Sequence, residues 1–196
     1  MAYGAERRKA VSIRLLSKKK KAEEFERLAE ECERQVYAAC FHMMGNREDA
    51  MDCAQETMLR AFRAFDSFRG DASFSTWIMR IAMNACTDAL RKRKNVVSLD
   101  GLREQAGFDP LDPAPTAYAR LEEKERRALL QKALGELPDD MRQLIVLRDM
   151  QGMNYEDIAK TLNLPLGTVK SRLNRAREKI SQLLQKSSEL FSSSSV

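Results

Sequence analysis

Apolar residues recur along this chain at intervals of three and four positions, the spacing that places them on one face of an α-helix. No Asn-Gly or Asp-Gly turn lies between two alternating apolar runs, as it would in a β-hairpin. The pattern therefore predicts an all-α protein. Three helices are predicted first, over residues 23–44, over residues 47–65, and from a cap at Ser73 or Ser75 to about residue 93.

The apolar stripes of these three helices predict the core of one small bundle. The positions expected to be buried are Phe25, Leu28, Ala29, Cys32, Val36, Ala39, Cys40, Met43, Ala50, Cys53, Ala54, Met58, Ala61, Phe62, Phe65, Trp77, Ile78, Ile81, Ala82, Ala85, Cys86 and Leu90. Because these stripes face one another, residues 22–94 are expected to form the first domain.

A break in the periodicity follows this bundle. Residues 95–117 contain two glycines and three prolines without a sustained apolar stripe, which is typical of a flexible linker. A second helical domain is predicted over residues 118–186, with helices over 118–134 and 141–149 and two more after them. The basic extension 1–21 and the serine-rich tail 187–196 are both expected to be disordered.

The most informative segment of the second domain predicts a helix-turn-helix. A short apolar-faced helix reaches Asn163, a residue type that tolerates a left-handed turn, and Pro165 then suits the start of the next helix. Val169, Leu173, Ala176 and Ile180 repeat at helical spacing and are expected to face the core. The opposite face is polar and basic, which suits base edges and phosphates in a DNA major groove.

Charge is distributed in alternating blocks. Residues 1–21 carry eight Lys and Arg against one Glu, residues 22–56 carry ten Asp and Glu against three Arg, and residues 166–196 carry six basic against two acidic side chains. Such a chain can present one face to a polyanion and another to a basic protein. Each block alone also fits a solvated helix face.

Few features indicate an enzyme. The four cysteines do not follow a zinc-ligand spacing, so they are expected to be reduced core residues, and His42 lacks neighbouring ligands in the sequence. A Gly-rich phosphate loop and paired metal-binding carboxylates are also absent from the sequence. We therefore expect no catalytic residues, no metal and no cofactor, and a cytoplasmic protein without membrane insertion, because the chain lacks a secretory leader and a long apolar run.

Two sets of motifs resemble the extracytoplasmic-function, or group 4, sigma factors of bacterial RNA polymerase. NYEDIA (154–159) and GTVKSR (167–172) are similar to region 4 of that family. Upstream, FRG (68–70), FSTW (74–77) and RIA (80–82) resemble its region 2. The two matches occur in the family's order on either side of the predicted linker.

The resemblance implies a factor that binds core RNA polymerase and directs promoter recognition, melting and initiation at a stress or envelope regulon. It implies contacts to the clamp of the largest subunit through Asp49, Asp52, Gln55 and Glu56. It implies capture of the minus-ten element through Phe68, Arg69, Arg80 and Asn84. The residues that it implies for the minus-35 element are Thr168, Lys170, Ser171, Arg172, Asn174 and Arg175. Further implied partners are the polymerase flap, promoter DNA and an anti-sigma factor.

Two features depart from the family pattern: the basic extension 1–21 has no clear counterpart, and Asn163 replaces a glycine often found in the turn. The main alternative is a stand-alone regulator that dimerises through the first bundle and binds a symmetric operator without polymerase. A nucleic-acid-processing enzyme is the second alternative, and the sequence contains none of the motifs that would support it.

Overall fold

The computed structural model describes the backbone of residues 2–96 and 117–193, with side chains from 19 to 94 and from 125 to 186. The described chain is all-α, as predicted. The helices are α1 (Ala2–Met44), α2 (Arg47–Ala64), α3 (Phe74–Val96), α4 (Ala117–Glu136), α5 (Asp139–Ile145), α6 (Tyr155–Leu162) and α7 (Leu166–Ser193). A 3-10 turn, Phe65–Ser67, follows α2, and a π-helical turn, Val146–Met150, follows α5.

The first three helices form the bundle that the apolar stripes predict. Val36, Ala50, Ile78 and Ala82 are completely buried between them. Phe62 is an exception, because it was expected in the core and is 41% exposed. The apolar stripe of α2 is wider than the surface that α1 and α3 cover, so its outer edge stays at the surface.

The four cysteines are buried and free, in agreement with the prediction. The thiol of Cys86, on α3, lies at hydrogen-bonding distance of Cys40 on α1 and Cys53 on α2. These contacts, together with burial, raise the pKa of the Cys86 thiol. The Cys86 thiol therefore packs as a neutral core group. Within the described ranges, no cluster of His, Cys, Asp and Glu is arranged to hold a metal ion.

Two segments that were expected to be disordered are helical as far as the structure describes them. Residues 2–21 are the first part of α1, and α7 continues through residues 187–193. Residues 2–21 contain Ala, Arg, Lys and Leu and no proline, so their helix propensity is high. Most of the predicted linker, residues 97–116, lies outside the described residues. No helix in the described part of the chain is long and apolar enough to span a bilayer.

The two helical domains pack directly against each other, which the sequence did not predict. Buried residues of both belong to one apolar cluster, which includes Met43 and Met83 of the first domain and Leu134 and Leu144 of the second. Polar contacts surround this cluster, including an ion pair of 2.6 Å between Lys94 Nζ and Asp139 Oδ2. The domains are therefore joined by an interface as well as by the chain.

Candidate nucleic-acid and polymerase interfaces

The loop between α2 and α3 is held by local hydrogen bonds and by a left-handed glycine. Gly70 adopts a φ of 78°, a conformation that residues with a side chain rarely adopt. Ser73 Oγ accepts a hydrogen bond of 3.1 Å from the main-chain N–H of Thr76 and caps α3, confirming one of the two predicted caps. The loop therefore has a defined path on the bundle surface.

Aromatic rings form the inner wall of this loop. The ring of Phe68 lies 5.2 Å from that of Trp77 and 5.6 Å from that of Phe74. Phe74 and Trp77 are buried in the bundle, Trp77 as predicted, whereas Phe68 is only half-buried. Phe68 therefore packs against the core rings of Phe74 and Trp77, and part of its own ring stays accessible to solvent.

A cavity of about 330 Å³ opens beside these rings. Its lining residues are Ser67, Phe68, Arg69, Asp71, Ala72, Thr76, Trp77, Arg80, Lys160 and Thr161. Three of the four residues assigned to the minus-ten element, Phe68, Arg69 and Arg80, thus meet at one cavity. Asn84 lies one helical turn beyond Arg80 on α3, exposed and outside the lining. The sequence did not indicate Asp71 and Thr76, whose residue types are ordinary in a loop and a helix start.

The acidic side chains of α2 divide into two kinds. Asp49 Oδ2 accepts a hydrogen bond of 2.7 Å from Asn46 Nδ2 and lies 3.5 Å from Arg93 Nη1, while Asn46 Oδ1 caps the main-chain N–H of Asp49. Glu56 Oε1 accepts a bond of 2.7 Å from Arg60 Nε. Both carboxylates therefore have partners within the first domain.

Arg60 joins α2 to α3, since its Nη1 lies 2.8 Å from Asp88 Oδ2. The hydrogen bond from Arg60 holds the pKa of the Glu56 carboxyl below its usual range. In contrast, Asp52 and Gln55 are exposed on the outer face of α2. Of the four residues assigned to the polymerase contact, these two have side chains that are open to a partner protein.

Apolar side chains accompany Asp52 and Gln55 on this outer face. Leu59 is 52% exposed and Met51 is 42% exposed, and Phe62 lies one turn beyond Leu59. Residues 52, 55, 59 and 62 are separated by three and four positions, so they line one side of the helix. Sequence reasoning missed Met51 and Leu59, because exposure of an apolar residue has no sequence signal of its own.

The helix-turn-helix is present as predicted. Asn154 Oδ1 accepts a hydrogen bond of 2.8 Å from the main-chain N–H of Asp157 and caps α6. Asn163 ends α6 in the left-handed conformation, with φ 52° and ψ 49°. The main-chain N–H of Leu164 then bonds back to the carbonyl of Ala159 at 2.9 Å, which closes the turn before α7 begins.

The first turns of α7 present one core face and one open face. Val169, Leu173 and Ala176 are completely buried, and Ile180 is half-buried against the same core, in agreement with the predicted inward face. Of the six residues assigned to the minus-35 element, Lys170, Ser171, Asn174 and Arg175 are exposed and Thr168 and Arg172 are half-buried.

Ion pairs orient several cations of this domain. Arg172 Nη1 lies 3.4 Å from Asp140 Oδ2 of α5, and Arg177 forms hydrogen bonds to Asp149. The bond to Asp149 raises the pKa of the Arg177 guanidinium. Lys170 Nζ lies 5.9 Å above the ring of Tyr155. Lys170 and Arg175 therefore remain the exposed cations at the amino end of α7.

Two family models match these two domains. Sigma-70 region 2 matches residues 28–96, and Sigma-70 region 4 matches residues 127–180. The first match includes the α2–α3 loop, and the second includes the helix-turn-helix. The fold and both matches define a transcription-initiation factor of the sigma-70 class.

Similarity to individual relatives identifies the family within this class. The chain is 34% identical to the RNA polymerase sigma-H factor of Pseudomonas aeruginosa over 169 residues, 82% of this chain and 86% of that protein. It is 35% identical to the ECF RNA polymerase sigma factor SigW of Bacillus subtilis over 161 residues, 76% of this chain and 83% of that protein. The chain belongs to the extracytoplasmic-function (ECF) sigma factors.

Two solved structures share the fold. One is the sigma factor RpoE of Bartonella quintana in complex with the anti-sigma factor NepR, with a TM-score of 0.67, 27% identity, and coverage of 83% of this chain and 98% of that chain. The other is CnrH in complex with the cytosolic domain of CnrY, with a TM-score of 0.61, 29% identity, and coverage of 84% of this chain and 90% of that chain.

Proposed function

We propose that this sigma factor captures the minus-ten element at the cavity of the α2–α3 loop and reads the minus-35 element with α7. The observation that carries the proposal is that Phe68, Arg69 and Arg80 meet at one cavity while a helix-turn-helix with an exposed basic face follows in the same chain. Single-stranded capture and duplex reading need these two different surfaces.

The cavity has the chemistry that an unpaired base requires. The half-buried ring of Phe68 offers a stacking surface, and base–aromatic stacking contributes about 1–3 kcal/mol per base. Arg69 and Arg80 are exposed cations at the cavity and can hold the flanking phosphates. Unpairing a base costs a few kcal/mol, so stacking and phosphate contacts offset much of the melting free energy. Asn84, which is exposed one helical turn beyond Arg80, is the proposed contact to a neighbouring phosphate.

For the minus-35 element, α7 enters the major groove with its amino end. Lys170 and Arg175 contact phosphates or base edges, and Ser171 and Asn174 have hydrogen-bonding groups that match base edges. Thr168 and Arg172 lie at the border of this surface, and Asp140 orients the Arg172 guanidinium. Duplex binding is consequently expected to depend strongly on salt concentration.

The outer face of α2 is the proposed polymerase contact. Asp52 and Gln55 lie there with the exposed apolar side chains of Met51, Leu59 and Phe62. Protein interfaces usually have apolar side chains at their centre and polar residues around them. Asp49 and Glu56 stabilise this face through their partners within the domain. The family resemblance indicates that this face binds the polymerase clamp, with the flap as a second polymerase contact.

The remaining parts of the proposal concern the cellular setting. We infer a cytoplasmic, non-enzymatic initiation factor that serves a stress or envelope regulon and is held inactive by an anti-sigma factor. One structure with the same fold is described as a sigma factor in complex with an anti-sigma factor, which supports the last point.

Run-off transcription with core RNA polymerase tests the proposal. The templates are fragments of the source genome, including the region upstream of this gene, with and without the protein. Transcripts that start at a defined site only when the protein is present are expected. A protein that binds a symmetric duplex but does not bind core polymerase would instead be a stand-alone regulator.

A further inference from the structure

The long first helix, α1, has one buried face within the first bundle. The residues of this face belong to the apolar core and are separated by seven, four, three and four positions: Phe25, Cys32, Val36, Ala39 and Met43. The ring of Phe25 packs edge to face against the rings of Phe65 and Phe74, which lie on either side of the α2–α3 loop. The amino-terminal end of the buried face therefore lies beside that loop.

The same face continues toward the amino terminus as a row of cations. Positions 7, 14, 18 and 21 precede Phe25 at separations of seven, four, three and four, and each is Arg or Lys. Because α1 is continuous from Ala2 to Met44, these positions share the helix face of Phe25. The face thus changes from apolar to basic before Phe25. We call Arg7, Arg14, Lys18 and Lys21 the basic stripe.

Lys21, the last member of the basic stripe, joins the stripe to the loop. Its Nζ donates a hydrogen bond of 2.6 Å to Asp66 Oδ2 and lies 5.6 Å from the centre of the Phe62 ring. Asp66 belongs to the 3-10 turn from which the α2–α3 loop begins. The basic stripe therefore starts at the loop that contains Phe68 and Arg69.

The basic stripe is long enough to follow a DNA strand away from this loop. At 1.5 Å per residue, positions 7–21 of α1 span about 21 Å. Phosphates of one stacked strand follow one another about every 3.4 Å. The length of the stripe therefore corresponds to about six phosphates.

The charge of this end of the chain fits a polyanion. Residues 1–21 contain eight Lys and Arg against one acidic residue, Glu6. Lys19 and Lys20, the first residues with described side chains, are exposed, and so are Arg69 and Arg80 at the loop. A row of cations on a helix gains free energy from phosphates through the release of their counterions.

We propose that the basic stripe of α1 binds backbone phosphates of the promoter strand next to the segment captured at the α2–α3 loop. The inference rests on the proposed function for the presence of DNA at that loop. The contacts are independent of base sequence, because Lys and Arg at phosphates recognise charge and not base edges. The stripe extends the strand contact of the first domain by about six nucleotides.

Two variants with the same change of charge test the role of the face. The stripe variant carries Arg7→Gln, Arg14→Gln and Lys18→Gln. The matched control carries Arg8→Gln, Lys9→Gln and Lys20→Gln, at positions of the same helix segment that lie off the stripe. Glutamine keeps a helix propensity close to that of Lys and Arg. Lys21 is kept in both variants because it pairs with Asp66.

Binding is measured with the factor assembled on core RNA polymerase, by anisotropy of fluorescein-labelled non-template strands at several salt concentrations. All strands carry the minus-ten segment mapped by run-off transcription. One strand ends at the edges of this segment, and two others extend about ten nucleotides beyond its 5′ or its 3′ edge, which is more than the stripe spans.

The native protein and the control are expected to bind one of the two extended strands more tightly than the short strand. On that extended strand the stripe variant is expected to lower the slope of log affinity against log salt concentration by about 2, because three phosphate contacts are lost at about 0.7 each. Binding of the short strand is expected to be the same for all three proteins.

Equal slopes for the stripe variant and the control, with native helix content by circular dichroism, would overturn the proposal. Capture at the loop would still stand if the short strand bound. Weaker assembly of the stripe variant with core polymerase, without a change in slope, would also overturn it and assign the stripe to an acidic protein surface.

A promoter that cannot be found would mean that the proposed function fails. The free factor and its two variants are then compared on a mixed-sequence single strand by the same titration. A lower slope for the stripe variant than for the control would still support the stripe as a nucleic-acid surface, whereas equal slopes would overturn this inference too.

Discussion

Arg142 and Met43 form a hydrogen bond that joins the two domains: the guanidinium Nη1 donates to the Met43 carbonyl at 2.6 Å. The other terminal nitrogen, Nη2, bonds to the carbonyls of Gly135 and Leu137 at 2.9 and 3.1 Å. One side chain therefore satisfies the end of α1 and the turn between α4 and α5. Burial lowers the pKa of the guanidinium, which Asp139 only partly offsets.

Arg142→Met is expected to lower the free energy of unfolding by about 2 kcal/mol, because three buried carbonyls lose their partner while the apolar packing is retained. Urea denaturation followed by circular dichroism measures this change. Arg175→Met, at an exposed position, is the control and is expected to change stability by less than about 0.5 kcal/mol. Equal stability of the two variants would contradict the role given to Arg142.

The turn of the helix-turn-helix gives a backbone prediction. Asn163 has a φ of 52°, and a β-branched residue is strained in that region. Asn163→Val is expected to destabilise the protein by about 1–2 kcal/mol, and Asn163→Gly to leave it nearly unchanged or slightly more stable. Thermal unfolding of both variants tests this. A valine variant as stable as the glycine variant would show that the turn adjusts its backbone.

Local features of the fold were predictable because their signals lie within a few residues. Ser73 and Asn163 have the chemistry that a cap and a left-handed turn need, and the spacing of Val169, Leu173 and Ala176 fixes the buried face of α7. These positions depend on neighbours in sequence. Periodicity and capping rules therefore recover them from the sequence.

The domain interface was not predictable in the same way. Gln131 and Gln143 are ordinary polar residues of amphipathic helices, and their partners lie between 56 and 90 positions away in the chain. The sequence also did not distinguish the carboxylates of α2. Asp49 and Glu56 are the same kind of residue as Asp52, yet they have partners within the domain. Such distinctions depend on tertiary contacts, which single-sequence patterns do not contain.

The two kinds of carboxylate on α2 are expected to respond differently to substitution. Asp52→Arg is expected to weaken binding to core polymerase about tenfold, roughly 1.4 kcal/mol, without a change in stability. Asp49→Ala is expected to destabilise the protein by about 1 kcal/mol, because it removes contacts to Asn46 and Arg93 at the start of α2. Fluorescence anisotropy with core polymerase and urea denaturation separate the effects. If Asp49→Ala weakened polymerase binding and Asp52→Arg lowered stability instead, the polymerase contact would lie on the other side of α2.

His42 gives a pH dependence. Its Nδ1 lies 3.1 Å from Gln131 Oε1, and burial lowers its pKa below the ordinary value of 6.5. The imidazole of the unfolded chain binds a proton more readily than that of the folded chain. His42 therefore contributes its full stabilisation of the folded state above pH 6.5. This contribution is lost as the pH falls through 6.5 toward the lower pKa of the folded state. Comparison of the native protein with His42→Asn between pH 7.5 and 5.5 tests this. The difference in unfolding free energy between them should shrink at low pH, and a constant difference would exclude His42 as its source.

The cations of α7 predict a specific salt dependence for duplex binding. Lys170 and Arg175 are exposed on the face opposite the buried Val169 and Leu173, and each is expected to neutralise one phosphate. Lys170→Ala with Arg175→Ala should therefore lower the slope of log affinity against log salt concentration by about 2. The measurement is anisotropy titration of a labelled duplex promoter at several salt concentrations, with Lys186→Ala as a control near the far end of α7. Binding to core polymerase is expected to be unchanged, because neither residue lies on the proposed polymerase contact of α2. If the double variant lost polymerase binding but kept the duplex slope, the roles of the two domains would be reversed.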